Sequence, residues 1–171
     1  MKKKACFING LIVAVAILLS GCSQASDDGY TAGDLRAVNH VDGIGINGFS
    51  VNGYHVPGLG GGYCCIQLPD KWKPGLKAHI EWEVDPHTAP PFPGYKDREK
   101  FNLWKSALEG SFQQHSTIVD IPQYGKERCG LTVHFLPCDQ IKVTTSCFGY
   151  GTPDYPVKEP RHMKEPASCP A

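Results

Sequence analysis

The sequence predicts a mainly β fold: a β-rich α+β domain built as a single antiparallel sheet or a sandwich, with one packed amphipathic helix and disulfide staples. Three observations carry this expectation. From Leu35 onward, short runs of apolar and β-branched residues are punctuated by Gly, Pro and Asn, the pattern of strands and turns. KAHIEWEV alternates cleanly, with Ile80, Trp82 and Val84 on one face and His79, Glu81 and Glu83 on the other. The chain also holds eight cysteines in 171 residues, ample for cross-links if its compartment is oxidising.

The first residues, MKKKACFINGLIVAVAILLSGC, address that condition. Three lysines precede an apolar stretch from Leu11 to Leu19, and small residues then lead to Cys22. This is the plan of a cleaved signal peptide over residues 1–21. The stretch is too short to cross a bilayer core of about 30 Å as a helix. Leu19-Ser20-Gly21-Cys22 resembles the lipobox of bacterial lipoproteins, in which the cysteine is lipidated and becomes the first residue of the mature chain. The membrane is thus an expected partner, reached through the Cys22 lipid anchor. Ser23 after the cysteine points to the outer membrane, with the domain facing the periplasm. Residues 22–35 read as the lipidated N-terminus and a flexible polar spacer.

Loss of Lys2, Lys3 and Lys4 with the signal leaves 14 basic against 17 acidic side chains, a net charge of −3. A weakly acidic chain of this kind has no basic patch to neutralise phosphates, so nucleic acid is not an expected partner. Its length fits one domain with its own core. With Cys6 removed and Cys22 acylated, six cysteines face the oxidising periplasm: Cys64, Cys65, Cys129, Cys138, Cys147 and Cys169.

Candidate strands run over 36–41, 44–51, 63–68, 77–84, 117–123, 130–136 and 140–147, within a globular domain spanning 36–151. Between Asp97 and His115 the period changes: Phe101, Trp104, Leu108 and Phe112 are spaced as on one helical face. Asp97 is a suitable N-cap, and Gly110 could end the first stretch. The segment before this helix, DPHTAPPFPGYKD, is a proline-rich loop. The tail, 152–171, is equally proline-rich and would lack order unless tied by Cys169.

A three-residue loop of Pro137, Cys138 and Asp139 would pair Phe135 with Ile141, Val133 with Val143 and Leu131 with Thr145. That register sets Cys129 opposite Cys147, close enough for a disulfide in a non-hydrogen-bonded pair. On a regular strand Cys64 and Cys65 point to opposite faces. The economical reading then joins them separately to Cys138 and Cys169, in either order.

His79-x-Glu81-x-Glu83 offers three possible metal ligands on one strand face. Alternating charged residues are also the ordinary wet face of a half-buried strand, and no HExxH or CxxC spacing supports a metal, so no metal ligand and no cofactor is assigned. No G-x-S-x-G elbow is present, and Gly58-Leu59-Gly60-Gly61-Gly62 has no Gly-Lys-Ser/Thr after it. No catalytic residue is assigned either; the expectation is a protein that is not an enzyme.

Asn39-His40, Phe49-Ser50-Val51-Asn52-Gly53, the block Cys64-Cys65-Ile66-x-Leu68-Pro69-x-x-Trp72-x-Pro74-Gly75-Leu76, then Trp82 and Val133-His134-Phe135-Leu136-Pro137 together resemble a known family. It comprises small proteobacterial lipoproteins with a domain of unknown function, often found beside type VI secretion lipase effectors. The resemblance covers roughly residues 36–157; the further cysteines and the long 86–116 segment depart from it. It implies an immunity protein that binds and inhibits a secreted phospholipase toxin at the membrane. The alternative is a structural or envelope-assembly lipoprotein that binds another membrane or secretion component. For partner binding the candidates are the polar strand face of His79, Glu81 and Glu83 and the aromatic, proline-rich loop around Phe92 and Tyr95, since interface hot spots favour exposed aromatics within a polar rim.

Overall fold

A computed structural model describes residues 29–170. The expected signal peptide, the expected lipidation site Cys22 and the first part of the expected spacer lie outside the described residues. The elements are β1 (Tyr30–Asn39), β2 (Gly45–Val51), β3 (Tyr54–Pro57), β4 (Tyr63–Pro69), β5 (Lys77–Asp85), α1 (Arg98–Ser111), β6 (Gln113–Asp120), β7 (Leu131–Leu136) and β8 (Gln140–Thr144).

They form two four-stranded sheets, ordered β4-β1-β7-β8 and β3-β2-β5-β6. The single-sheet form of the expectation is thereby corrected. Two sheets allow the apolar face of each to be buried against the other, which one sheet and a single helix could not do. Leu35, Ile66, Leu131, Val133 and Phe135 from the first sheet meet Phe49, Val51, Ile80 and Trp82 from the second. The Phe135 ring sits 5.7 Å from Phe49, edge to face, and 5.8 Å from Trp82, tilted, and these contacts hold the centre of the sandwich. The alternation read in β5 is the one observed, with Ala78, Ile80, Trp82 and Val84 buried.

The first sheet is mixed: β1 runs parallel to β7 and antiparallel to β4. β1 begins at Tyr30, so residues 30–35, read as spacer, are strand that pairs with Tyr63–Pro69. Residues 30–34 show no apolar alternation because they lie on the exposed end of the sheet, and full burial begins only at Leu35. Gly33 is required where β1 passes the start of β7. A Cβ there would come within 2.5 Å of the Gly130 backbone, and Gly130 itself has φ +86°.

The β7–β8 hairpin has the register derived from the sequence, with Phe135 opposite Ile141 and Val133 opposite Val143. Cys129 and Cys147 are joined across its open end, their Cα atoms 4.9 Å apart. The expected links from Cys64 and Cys65 to Cys138 and Cys169 are corrected: Cys138 is joined to Cys169, and the sulfurs of Cys64 and Cys65 are turned towards each other across a cis peptide. Two features of the fold account for this. Gly33 opposes Ile66 while Asp34 opposes Cys64, so Cys65 is the extra residue of a β-bulge and the alternation of faces fails there. In addition, β4 lies two strands from β7, about 10 Å away, beyond the roughly 7 Å Cα separation that a disulfide bridges.

Asp97 caps α1, its Oδ1 accepting from the backbone N–H groups of Glu99 and Lys100, both at 3.1 Å. The helix runs past Gly110 to Ser111, and the strand after it starts at Gln113, earlier than the sequence pattern showed. None of its residues is buried, so the expectation of a helix packed on the sheet is corrected. Its apolar stripe is satisfied by its own loop instead: Phe92 meets Trp104 at 4.9 Å, and Trp104 Nε1 donates to Pro90 O at 2.9 Å.

The tail covers the outer face of the first sheet. Tyr155 and Val157 are buried there, and Met163 forms a bridge with Val41. Coverage of both faces explains why all six residues of β7 are buried, including the polar Thr132 and His134.

Candidate partner-binding face

The outer face of the second sheet carries a polar groove, and strand register builds it row by row. Pairing of β2 with β3 and β5, and of β5 with β6, sets Pro57, Gly48, Glu83 and Gln114 in one row. The next row holds His55, Ser50, Glu81 and Ser116. A bulge between Ile46 and Gly48 adds Asn47 to the rim. Gly48 forms the floor; a Cβ there would lie 3.3 Å from the His55 ring, so the missing side chain is what leaves the groove open. The hollow has a volume of about 420 Å³.

Neighbouring side chains hold both carboxylates in place. Ser50 Oγ donates to Glu81 Oε2 at 2.8 Å. Asn47 Nδ2 donates to Glu83 Oε1 at 3.0 Å, and Gln114 Nε2 donates to its other oxygen. Carboxylates clamped this way point outward with spare lone pairs, suited to accept donors from another molecule.

Of the residues singled out from the sequence, Glu81 and Glu83 share this groove. His79 does not line it. It sits one row further along, where its backbone exchanges hydrogen bonds with Asn52. These three do not converge as metal ligands. Among the described residues, the one trio of Cys, His, Asp or Glu donors within 4.8 Å is Cys138, Glu165 and Cys169, and its two sulfurs are already bonded to each other.

Phe92 and Tyr95 stand in the segment between β5 and β6, which leaves the sheet at Asp85 and returns at Gln113. This is the end of the sheet at which the Glu83–Gln114 row lies. Their rings meet at 4.9 Å and continue into Phe101 and Trp104, forming a small aromatic cluster outside the main core. Among the described residues Tyr95 is 80% exposed and Phe92 47%, and Leu103 on α1 is 66% exposed, so large apolar side chains stand in solvent in this segment.

Sequence reasoning missed Asn47, Gly48, Ser50, His55 and Gln114. His55 was hidden because β3 is four residues long, too short to show a period, and Gln114 because it read as the end of the helix. The pair Asn47-Gly48 was a usable bulge signal.

No curated protein and no solved structure matches this chain. A family model does match residues 38–143, from the end of β1 into β8. The chain belongs to that family, described as a protein of unknown function, DUF3304.

Proposed function

We propose that this chain is a membrane-tethered immunity lipoprotein, anchored through Cys22 in the outer membrane and facing the periplasm, that binds a type VI secreted phospholipase and inhibits it. The observation that carries the reading is the exposed aromatic pair of Phe92 and Tyr95, carried on the segment that leaves and rejoins the sheet at the end where the clamped carboxylate of Glu83 lies. An uncovered apolar surface rimmed by polar groups is the chemistry of a protein-binding face. The identity of the partner rests on the family resemblance, and the tether on the lipobox.

Inhibition of this kind needs no chemistry from the inhibitor. An interface of about 1,600 Å² over the mouth of the lipase active site would exclude its lipid substrate. A disulfide-stapled sandwich suits that task, since a rigid face loses little freedom on binding. The test is calorimetric titration of the purified chain into the lipase encoded beside it, with lipase activity followed in parallel. One-to-one saturation with loss of activity is the expected result. Absence of heat with undiminished activity at micromolar concentrations would remove the reading for that pair and leave the envelope-assembly alternative.

A further inference from the structure

The outer face of the first sheet holds two fully buried histidines, His40 at the end of β1 and His134 in β7. They belong to one hydrogen-bonded chain. His40 Nδ1 lies 2.9 Å from Pro160 O, His40 Nε2 lies 2.8 Å from His134 Nδ1, and His134 Nε2 lies 2.7 Å from Tyr155 Oη.

Only one assignment of hydrogens satisfies every atom with both rings neutral. A carbonyl can only accept, so Nδ1 of His40 carries hydrogen and its Nε2 is a lone pair. His134 Nδ1–H therefore donates to His40 Nε2, and Tyr155 O–H donates to His134 Nε2. An added proton has no place in this order. It forces the Tyr155 hydroxyl to turn from His134 towards Thr132, and it leaves a positive charge between two rings sealed from water.

The surroundings do not compensate that charge. β1 contributes Arg36, which is paired with Asp34, and β8 contributes Lys142, which already engages the carboxylate of Glu159. From the tail, Tyr150 meets His40 edge-on at 5.3 Å, with the Arg161 guanidinium 5.3 Å over the Tyr150 ring. His162 and Asp42 face each other at 3.8 Å in the exposed rim. Burial, and then the neighbouring His40, lower the pKa of His134 to about 4.

The same rings hold the tail to the sheet. Pro160 and Tyr155 are the ends of the chain, and alongside it Met163 N–H donates to His40 O at 2.6 Å while Asp42 N–H donates to Met163 O at 2.8 Å. A cavity of about 440 Å³, lined by Arg36, Val38, Thr132, Phe148, Tyr150 and Tyr155, adjoins the seam at Tyr155.

We propose that residues 150–163 form an acid-released strap, closed on the first sheet by the buried Tyr155–His134–His40 chain and kept tethered by Cys138–Cys169 when it lifts. Proton uptake by His134 opens the strap and uncovers the sheet face carrying Arg36, Thr132 and His134. Because one proton is linked to opening, the opening constant grows by up to about tenfold per pH unit below 6.5 and levels off near 4.

The experiment is hydrogen exchange on the purified full chain with its disulfides oxidised, at pH 7 and in steps to pH 4, corrected for intrinsic exchange. Peptides covering 150–165 and the Asp42 amide should lose protection by about tenfold or more, while β2 and β5 stay protected. His134→Gln should flatten the pH dependence. If that variant does not fold, NMR of the ring nitrogens in the unaltered chain decides: His134 should gain its proton over the same pH range in which the strap loses protection. Strap protection that is constant to pH 4, loosening of all strands together, or protonation of His134 without strap opening would each overturn the proposal.

Discussion

At residue scale the fold depends on a few positions where no other side chain fits. Gly130 is the clearest. A Cβ there would fall 1.9 Å from the Asp34 carbonyl oxygen, backbone that belongs to the neighbouring strand and cannot swing aside, and the residue's φ lies in the left-handed region. Gly130→Ala should lower stability by about 2 kcal/mol or more, read as a reduced urea midpoint at unchanged slope. The requirement was invisible in the sequence, where Cys-Gly-Leu reads only as the start of a strand. The same is true of Cys64 and Cys65. Their adjacency was plain, but whether they face apart or together depends on the bulge opposite Asp34, which is a property of pairing between strands.

At element scale the β7–β8 hairpin and the α1 projection behave differently. The hairpin was legible because Leu131, Val133 and Phe135 match Val143 and Ile141 through a short turn, and one register alone aligns them. Its staple closes an 18-residue separation; replacing Cys129 and Cys147 together by Ser should cost about 2–4 kcal/mol in thermal unfolding, with the hairpin still paired. The projection was legible as a helix but not in its placement. Its apolar stripe of Phe101, Trp104, Leu108 and Phe112 is real and half-buried, yet the aromatic loop before the helix supplies the partner surface that the sheet was expected to provide. Because the projection contributes little to the main core, Tyr95→Ala should leave the urea midpoint of the free domain within error. On the proposed function it should weaken lipase binding by about tenfold in calorimetry, the range for an exposed aromatic anchor.

At the scale of the whole molecule, pH acts through His134. Its folded-state pKa, about 4, lies below its ordinary 6.5, so between these values the unfolded chain binds more protons than the native one. Stability is therefore full above pH 6.5, falls as pH drops through this window, and gains no further loss from this group below 4. The change should be on the order of 2 kcal/mol, measured by urea unfolding at pH 7 and pH 4.5, and largely absent in His134→Gln. The sandwich as a whole joins two sheets between which the chain passes repeatedly, and non-local pairing of this kind is what sequence patterns convey least. The parallel contact of β1 with β7 brings together residues almost a hundred positions apart.

By itself the sequence determined the β-rich class, the inward face of β5, the hairpin and its register, the helix with its Asp97 cap, and the supply of cysteines. These follow from periods of two and 3.6 residues and from turn chemistry, all of which act over a few residues. Only the tertiary structure decided how the strands divide into two sheets, which cysteines join, and that the proline-rich tail lies on His40 and His134. It also decided that Glu81 and Glu83 share a groove with His55 while His79 does not. Each of these depends on distances between segments far apart in the chain, set when apolar faces on separate elements are buried together, and no local pattern encodes them.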